Sequence, residues 1–265
     1  MRDLFGFHPL FYRMSILNDN NQFARGCLSF SLWGPRDSPY HRGVEQNLLR
    51  ARSIYPNWAI LLYVSRRAIS DADLTTWTKL GCKVVLMDIT EGWSGMFWRM
   101  LPILSNSYDY VCVRDLDSII TTRESAAVDD WISDGSCLHI MRDHPAHTAS
   151  IMGGMFGVKT SCAEVRNAFS GIKQLILESC YTNKNNFWQS DQIYLANHVY
   201  PLLRNSAKVH DPYYERLAFP TDREAPHMYI GRPTMKLGYQ LTSDDESILN
   251  VDQYITNYIK LRGNS

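Results

Sequence analysis

From residue 27 onward, apolar runs of strand length alternate with segments of helical length, and this alternation restricts the chain's possible folds more than any other feature. The run at 27–33, CLSFSLW, stops at Gly34-Pro35, and Val44, Leu48, Leu49 and Ala51 then recur at helical spacing over 40–55. Residues 58–64 read as a second strand, Ser70 as the cap of a helix running to Leu80, Gly81 as its end, and 82–87 as a third strand. A helical stretch at 95–104 precedes 108–113, YDYVCV, whose β-branched and apolar density suits a strand buried on both faces. Beyond it, 137–141 and 151–158 read as strands, 163–180 and 187–200 as helices, and 243–261 as a closing helix. The order predicts an α/β fold in a single domain: a mixed, mainly parallel sheet flanked by helices. Such sheets bind ligands at the carboxyl ends of their strands.

Charge narrows the partners. Lysine plus arginine (27) equals aspartate plus glutamate (27), so no net basic field holds a nucleic-acid backbone or an anionic bilayer, and any phosphate must be gripped locally. The longest apolar runs fall well short of the roughly 20 residues of a membrane span, so no transmembrane segment is expected. Residues 1–14 carry Phe5, Phe7, Leu10, Phe11 and Tyr12 but are broken by Asp3, His8, Pro9 and Arg13, which does not read as a signal peptide. That segment covers the core, joins a partner or touches a membrane surface. Six cysteines (Cys27, Cys82, Cys112, Cys137, Cys162, Cys180) are widely spaced without a Cys-x-x-Cys pair, and most sit in apolar runs where a thiol acts as a small hydrophobe. The expected setting is therefore reducing and cytoplasmic, with contact at a membrane surface as the variant of that expectation.

The fourth strand runs into Arg114-Asp115-Leu116-Asp117-Ser118. In extended backbone alternate side chains share a face, so Asp115 and Asp117 project together while Leu116 returns to the core. Two neighbouring carboxylates repel unless a positive charge lies between them. A hard divalent cation, Mn2+ or Mg2+, takes carboxylate oxygens and keeps positions for water or diphosphate oxygens. A solvated turn is the other reading of an Asp-x-Asp tripeptide.

A hydrophobic strand entering Asp-x-Asp, in a chain opened by a βαβαβ half, resembles the GT-A fold of nucleotide-sugar-dependent glycosyltransferases, a Rossmann-like architecture. Residues 95–102, GMFWRMLP, resemble the arginine-containing helix that precedes the Asp-x-Asp strand in several of these families. Residues 139–145, HIMRDHP, and 151–157, IMGGMFG, are similar to the strands that line the donor and acceptor sugars, and Ser190-Asp191-Gln192 to an Asp-Gln element that opens a helix. The match covers about 27–232 and is most like small glycosyltransferases of bacterial surface-polysaccharide clusters and large algal viruses. It implies one GT-A-like domain over 1–265: a nucleotide-binding half at about 27–118, a sugar and acceptor half at about 119–240, and a C-terminal helix at 241–265. The implied activity is metal-dependent transfer from a UDP-linked sugar to a hydroxyl of a glycan or glycoconjugate. If the chain is viral, its compartment is the host cytoplasm.

Arg99, in an apolar helix, is either an ordinary ion-paired arginine or orients Asp115 or contacts the nucleotide. Arg114 points away from Asp115 by strand alternation, which suits a structural role as well as any other. Arg142-Asp143-His144-Pro145-Ala146-His147 crowds ionisable groups at a strand end, which marks a site: Arg142 as a phosphate grip, Asp143 as an acceptor of sugar hydroxyls. His144 and His147 lack the further ligands of a closed zinc site. Gly153-Gly154 in an apolar run indicates a bulge or close backbone approach to a ligand. Asp191 and Gln192 begin a helix, where an aspartate is also an ordinary cap. On the resemblance, Asp191 faces the acceptor: as the general base in an inverting transfer, with Asp143 second, or as a stabiliser of donor-ring charge in a retaining one. The resemblance also implies a third metal ligand from His210, or else His227, and diphosphate contacts from Arg223 and Arg232. It puts the nucleotide base at Ser31 and Trp33, with Tyr63 and Ser65 as weaker candidates. Two rivals stand beside this reading. A sugar-1-phosphate nucleotidyltransferase would want a glycine- and lysine-rich loop where Gly34-Pro35-Arg36-Asp37 stands, and a catalytically silent carbohydrate- or nucleotide-binding domain would need no intact acidic residues.

Overall fold

The computed structural model describes residues 25–87, 92–105, 107–182, 187–224 and 228–233. Seven strands form one sheet: β1 (Gly26–Leu32), β2 (Ala59–Ser65), β3 (Lys83–Met87), β4 (Tyr110–Arg114), β5 (Leu138–Met141), β6 (Met155–Lys159) and β7 (Ala207–His210). Their spatial order is β3-β2-β1-β4-β6-β5-β7. The first four pair in parallel, β6 runs antiparallel to both β4 and β5, and β5 pairs parallel with β7. The mixed, mainly parallel α/β sheet expected from the alternation is the one that forms.

Sequence explains the helices' ends. In α1 (Pro39–Ile54), Ser38 accepts from the His41 amide and proline occupies the first turn, where its missing N–H costs nothing. In α2 (Asp71–Lys79), Ser70 and Asp73 form a reciprocal capping box, and Gly81, at φ +81°, takes the left-handed turn that leads into β3. The expected helix at 95–104 is a short α3 (Gly95–Trp98) followed by a 3-10 turn (Leu101–Leu104). A helix the sequence reading did not assign, α4 (Thr122–Asp134), lies between β4 and β5. Its signals are plain in retrospect: Thr121 accepts from the Glu124 amide, and Gly135 ends it at φ 82°.

Three expected elements are shorter than their apolar patterns. The strand at 151–158 begins only at Met155, because residues 151–154 turn. The helix at 163–180 divides into α5 (Ala163–Phe169) and α6 (Ile172–Thr182) at Ser170-Gly171. The helix at 187–200 is α7 (Ser190–Tyr194), a π turn (Leu195–Val199) and α8 (Tyr200–Leu203). The closing helix at 243–261 and most of 1–26 lie outside the described residues.

Each face of the sheet packs its own core. Leu28, Phe30 and Leu32 of β1 meet Val44 and Leu48 of α1, Trp77 of α2 and Trp131 of α4. Cys27, Val111, Val113 and Phe156 lie on the opposite core with Phe97 and Trp98 of α3 and Phe169 of α5. The period of two therefore sends Ser29, Ser31 and Trp33 towards the α3 side, which is where the cavity described below opens. One cysteine reading is corrected: Cys137 and Cys162 are joined in a disulfide, with Cα atoms 6.0 Å apart. A separation of 25 positions hid a proximity made by β5 and β6 folding back on each other. Cys27, Cys82 and Cys112 are buried free thiols, as expected. Among the described residues no helix is long and apolar enough to cross a membrane.

Candidate active site

A cavity of about 350 Å³ opens at the carboxyl ends of β1 and β4. Ser31 and Trp33 come to it from β1, Asp115 from the end of β4, Gly153 and Gly154 from the turn before β6, and Asp191 and Gln192 from α7. The sequence reading named all seven as site residues. Arg99, just after α3, lies between the acids: its Nη1 donates to Asp115 Oδ1 and its Nη2 to Asp191 Oδ2, the latter at 2.8 Å. Asp115 is more than one-third exposed whereas Arg99 and Asp191 are buried.

The glycine pair has a steric reason. A Cβ at Gly154 would run into the Asp115 carboxylate and backbone amide, and one at Gly153 into the Asp191 carboxylate. Both carboxylates rest against bare peptide. Arg114 holds that peptide in place: it is buried, donates to Gly154 O at 2.9 Å and pairs with Glu124 of α4. Its role is structural, and its side chain lies opposite Asp115 as strand alternation requires.

The Asp115–Asp117 loop is fixed from beneath by Asn47 of α1, which sequence reasoning missed. Its Nδ2 donates to Leu116 O at 3.2 Å and Ser118 O at 2.9 Å, while its Oδ1 accepts from the Ile120 amide at 3.1 Å. Leu116 returns to the core as expected. The only cue to Asn47 was an amide on the apolar face of α1. Asp117 is half-buried. Burial first, then the charges of Asp117 and Asp115, push the Tyr40 hydroxyl far above its ordinary value, so Tyr40 lines the cavity as a neutral phenol.

Burial pushes the Asp191 carboxyl upwards; the Arg99 guanidinium opposes this and the Asp115 charge adds to it. Burial, and then His144 and Arg223, push His147 down to about 3. This cavity-lining histidine is neutral, and since its Nδ1 accepts from the Asp143 amide at 3.2 Å, its proton resides on Nε2.

Several expected site residues serve other ends. Asp143 is fully buried away from the cavity: Arg123 holds both its oxygens at 3.0 and 3.1 Å, and Arg223 and the Ile230 amide take the remaining positions. No acceptor capacity faces a substrate, so the catalytic and sugar-binding roles expected of Asp143 are corrected to structural anchoring. Arg142 is likewise spent on Asp211 at 2.6 Å, Glu215 and Ser150 O. His210 does not turn to the acidic pair: its Nδ1 meets His139 Nε2 at 2.8 Å and its Nε2 meets Asp130 Oδ2 at 3.1 Å, so neither nitrogen is left for a metal. Polar density at a strand end thus built the internal network that ties β5 and β7 to Asp211, Glu215, Arg223 and Ile230. Tyr63 belongs to the core, Arg223 serves Asp143, and His227 lies outside the described residues.

Among the described residues no three His, Cys, Asp or Glu side chains converge on a metal. Asp115 and Asp117 are both hard oxygen donors: Asp115 lines the cavity, and Asp117, two residues on and half-buried, is not among its lining residues. They fit a cation that draws the rest of its shell from diphosphate and water, and they do not form a closed site.

No protein-family model matches the sequence, and no curated protein sequence does. Among solved structures, the chain is similar to S. aureus TarS 1-349 at 9% identity and a TM-score of 0.46, over 70% of this chain and 58% of that one. It is similar to a glycosyltransferase involved in the glycosylation of the major capsid of PBCV-1 at 17% identity and a TM-score of 0.42, over 71% and 82%. It is also similar to the mannosyltransferase PcManGT from Pyrobaculum calidifontis, in complex with GDP-Man and Mn2+, at 12% identity and a TM-score of 0.40, over 61% and 53%. The chain thus spans less than two-thirds of the TarS fragment and of the mannosyltransferase. With TM-scores below 0.5, the geometry of the site itself, rather than these likenesses, supports the function proposed below.

Proposed function

We propose that this chain is a glycosyltransferase that moves a sugar from a nucleoside diphosphate, UDP in the first instance, to a hydroxyl of a glycan or glycoconjugate. One observation carries the reading: Arg99 bridges Asp115, at the end of β4, to Asp191, at the start of α7, inside a cavity rimmed by the end of β1. A partly exposed strand-end carboxylate, Asp115, with Asp117 two residues on, suits a metal diphosphate, and the buried Asp191 carboxylate at the same cavity suits the acceptor hydroxyl.

A divalent cation held by Asp115 and Asp117 would neutralise charge growing on the departing diphosphate. Ser31 Oγ, buried at the cavity wall with no hydrogen-bond partner among the described residues, is available to the nucleotide, and half-buried Trp33 lines the cavity beside it. His147, as a neutral Nε2–H donor, adds a hydrogen bond without adding charge. Asp191 takes the acceptor's proton as the acceptor oxygen bonds to the anomeric carbon and the bond to diphosphate breaks. Its upward-pushed pKa makes it a better base at neutral pH than an ordinary carboxylate, and Arg99 keeps it ionised and aimed.

The test is thermal-shift and isothermal titration with UDP, GDP and CDP, each with Mn2+, Mg2+ or EDTA. Stabilisation by one nucleotide that requires the metal and disappears in Asp117→Ala supports the reading. Folded protein that responds to none of the three, with any metal, overturns it.

A further inference from the structure

Three exposed aromatic rings surround the cavity from three distant parts of the chain. Tyr40 of α1, Trp93 before α3 and Trp188 before α7 all line it, at 39%, 41% and 65% exposure. Single exposed aromatics are unremarkable on a protein surface, whereas convergence on one cavity mouth is a recognition feature. The charged groups of the cavity lie deep, with Arg99 at 4% and Asp191 at 3% exposure. The half-buried amides Gln189 and Gln192 line the same cavity. Gln189 adopts a left-handed backbone at φ 66°, uncommon for a residue with a side chain, in the turn that presents Trp188.

We propose that this rim is the acceptor subsite, and that its occupant is a neutral glycan of more than one sugar unit. The inference rests on the transferase reading above and deepens it by naming the acceptor's chemistry. A group that presents a hydroxyl to Asp191 while covering indole rings must combine flat C–H faces with hydroxyls, as a pyranose does. The C–H face packs on Trp188 and Trp93, and the hydroxyls pair with the side-chain amides, which both donate and accept. Among the described rim residues an anionic acceptor would meet no fixed cation, and a lone monosaccharide at Asp191 would not extend to Trp188 at the exposed end of the lining. A bilayer would cover the rings but would not use the amides.

The experiment uses the full chain, labelled, on an array of neutral glycans, with Trp188→Ala and, as control, Leu49→Ala, an exposed apolar residue on α1. Circular dichroism melting confirms that each variant is folded. Binding to glycans of two or more units, weakened roughly tenfold or more in Trp188→Ala and unchanged in Leu49→Ala, is the expected result. Binding to none of them, or binding that Trp188→Ala leaves intact, overturns the proposal. So does tryptophan fluorescence that shifts with phosphatidylcholine vesicles, loses the shift in Trp188→Ala, and comes without glycan binding. The nucleotide titrations above run in parallel. A metal-dependent nucleotide response without glycan binding removes the rim but keeps the transferase. Glycan binding without a nucleotide response keeps the rim as a lectin-like surface and removes the transferase.

Discussion

Arg99 Nη2 donates to Asp191 Oδ2 at 2.8 Å across 92 positions of sequence, with both side chains buried. The same guanidinium also reaches Asp115, so one fork holds the acid at the end of a strand and the acid at the start of a helix in fixed relation. Removing a partner from such a buried pair leaves an uncompensated charge, at a typical cost of about 3–5 kcal/mol. Arg99→Met should therefore destabilise the fold by that order in urea denaturation. Arg99→Lys should keep more stability but lose turnover, because an ammonium cannot serve two carboxylates in fork geometry. Combining Arg99→Met with Asp191→Asn should cost less than the sum of the two single changes, which a double-mutant cycle would read directly.

Asn47 satisfies three backbone groups around the Asp115–Asp117 loop. Asn47→Ala should lower stability by about 1–3 kcal/mol, the usual cost of leaving buried polar groups unpaired. It should also weaken metal-dependent nucleotide binding, although Asn47 touches neither ligand. Asn47→Asp should fare no better, since a carboxylate would face the carbonyls of Leu116 and Ser118. Equal nucleotide affinity in wild type and both variants would refute the positioning role.

Gly154→Ala should lower metal-dependent nucleotide affinity roughly tenfold or more, because its methyl meets not only the Asp115 carboxylate but also its immovable backbone amide. Gly171→Ala is the matched control: a methyl there meets open space, and φ is not left-handed. That change should leave binding alone and raise stability by about 0.4–1 kcal/mol by restricting the unfolded chain.

Acid should weaken the fold through its buried neutral histidines. His147 has a folded pKa of about 3 against an unfolded value near 6.5, so below pH 6.5 the unfolded chain binds more protons and stability falls with pH. At pH 5 the deficit for one such group is roughly 2 kcal/mol. Burial pushes His139 down as well, which adds to the trend, whereas the raised carboxyl of Asp191 acts in the opposite direction. His147→Asn should flatten the dependence of melting temperature on pH between 7 and 4.5. An unchanged slope would mean that His147 is not buried neutral.

The succession of strands and helices on the first half of the chain was legible because burial on a sheet imposes period two and burial of a helix imposes 3.6. Caps such as Ser70 and stops such as Gly81 then fixed the ends. Helix α4 is equally legible in the cap Thr121, in Glu124 and in the stop Gly135. The breaks at Ser170-Gly171 and within 187–200 were less so, since apolar residues continue across them and packing on the sheet decides where the axis turns.

The sequence alone determined the α/β layering and the return of Leu116 to the core, since these follow from side-chain period. Tertiary structure decided which polar residues face the cavity. Asp143 and Arg142 looked like site residues because they crowd a strand end, and His210 because the resemblance implies a third metal ligand, yet each found buried partners far along the chain: Arg123, Asp211 and His139. A buried charge or imidazole must be paired wherever the fold places it. That pairing depends on neighbours across the sheet, which no local pattern records. The meeting of Arg99 with both Asp115 and Asp191, the joining of Cys137 to Cys162, and the convergence of Tyr40, Trp93 and Trp188 on one opening are facts of the same kind.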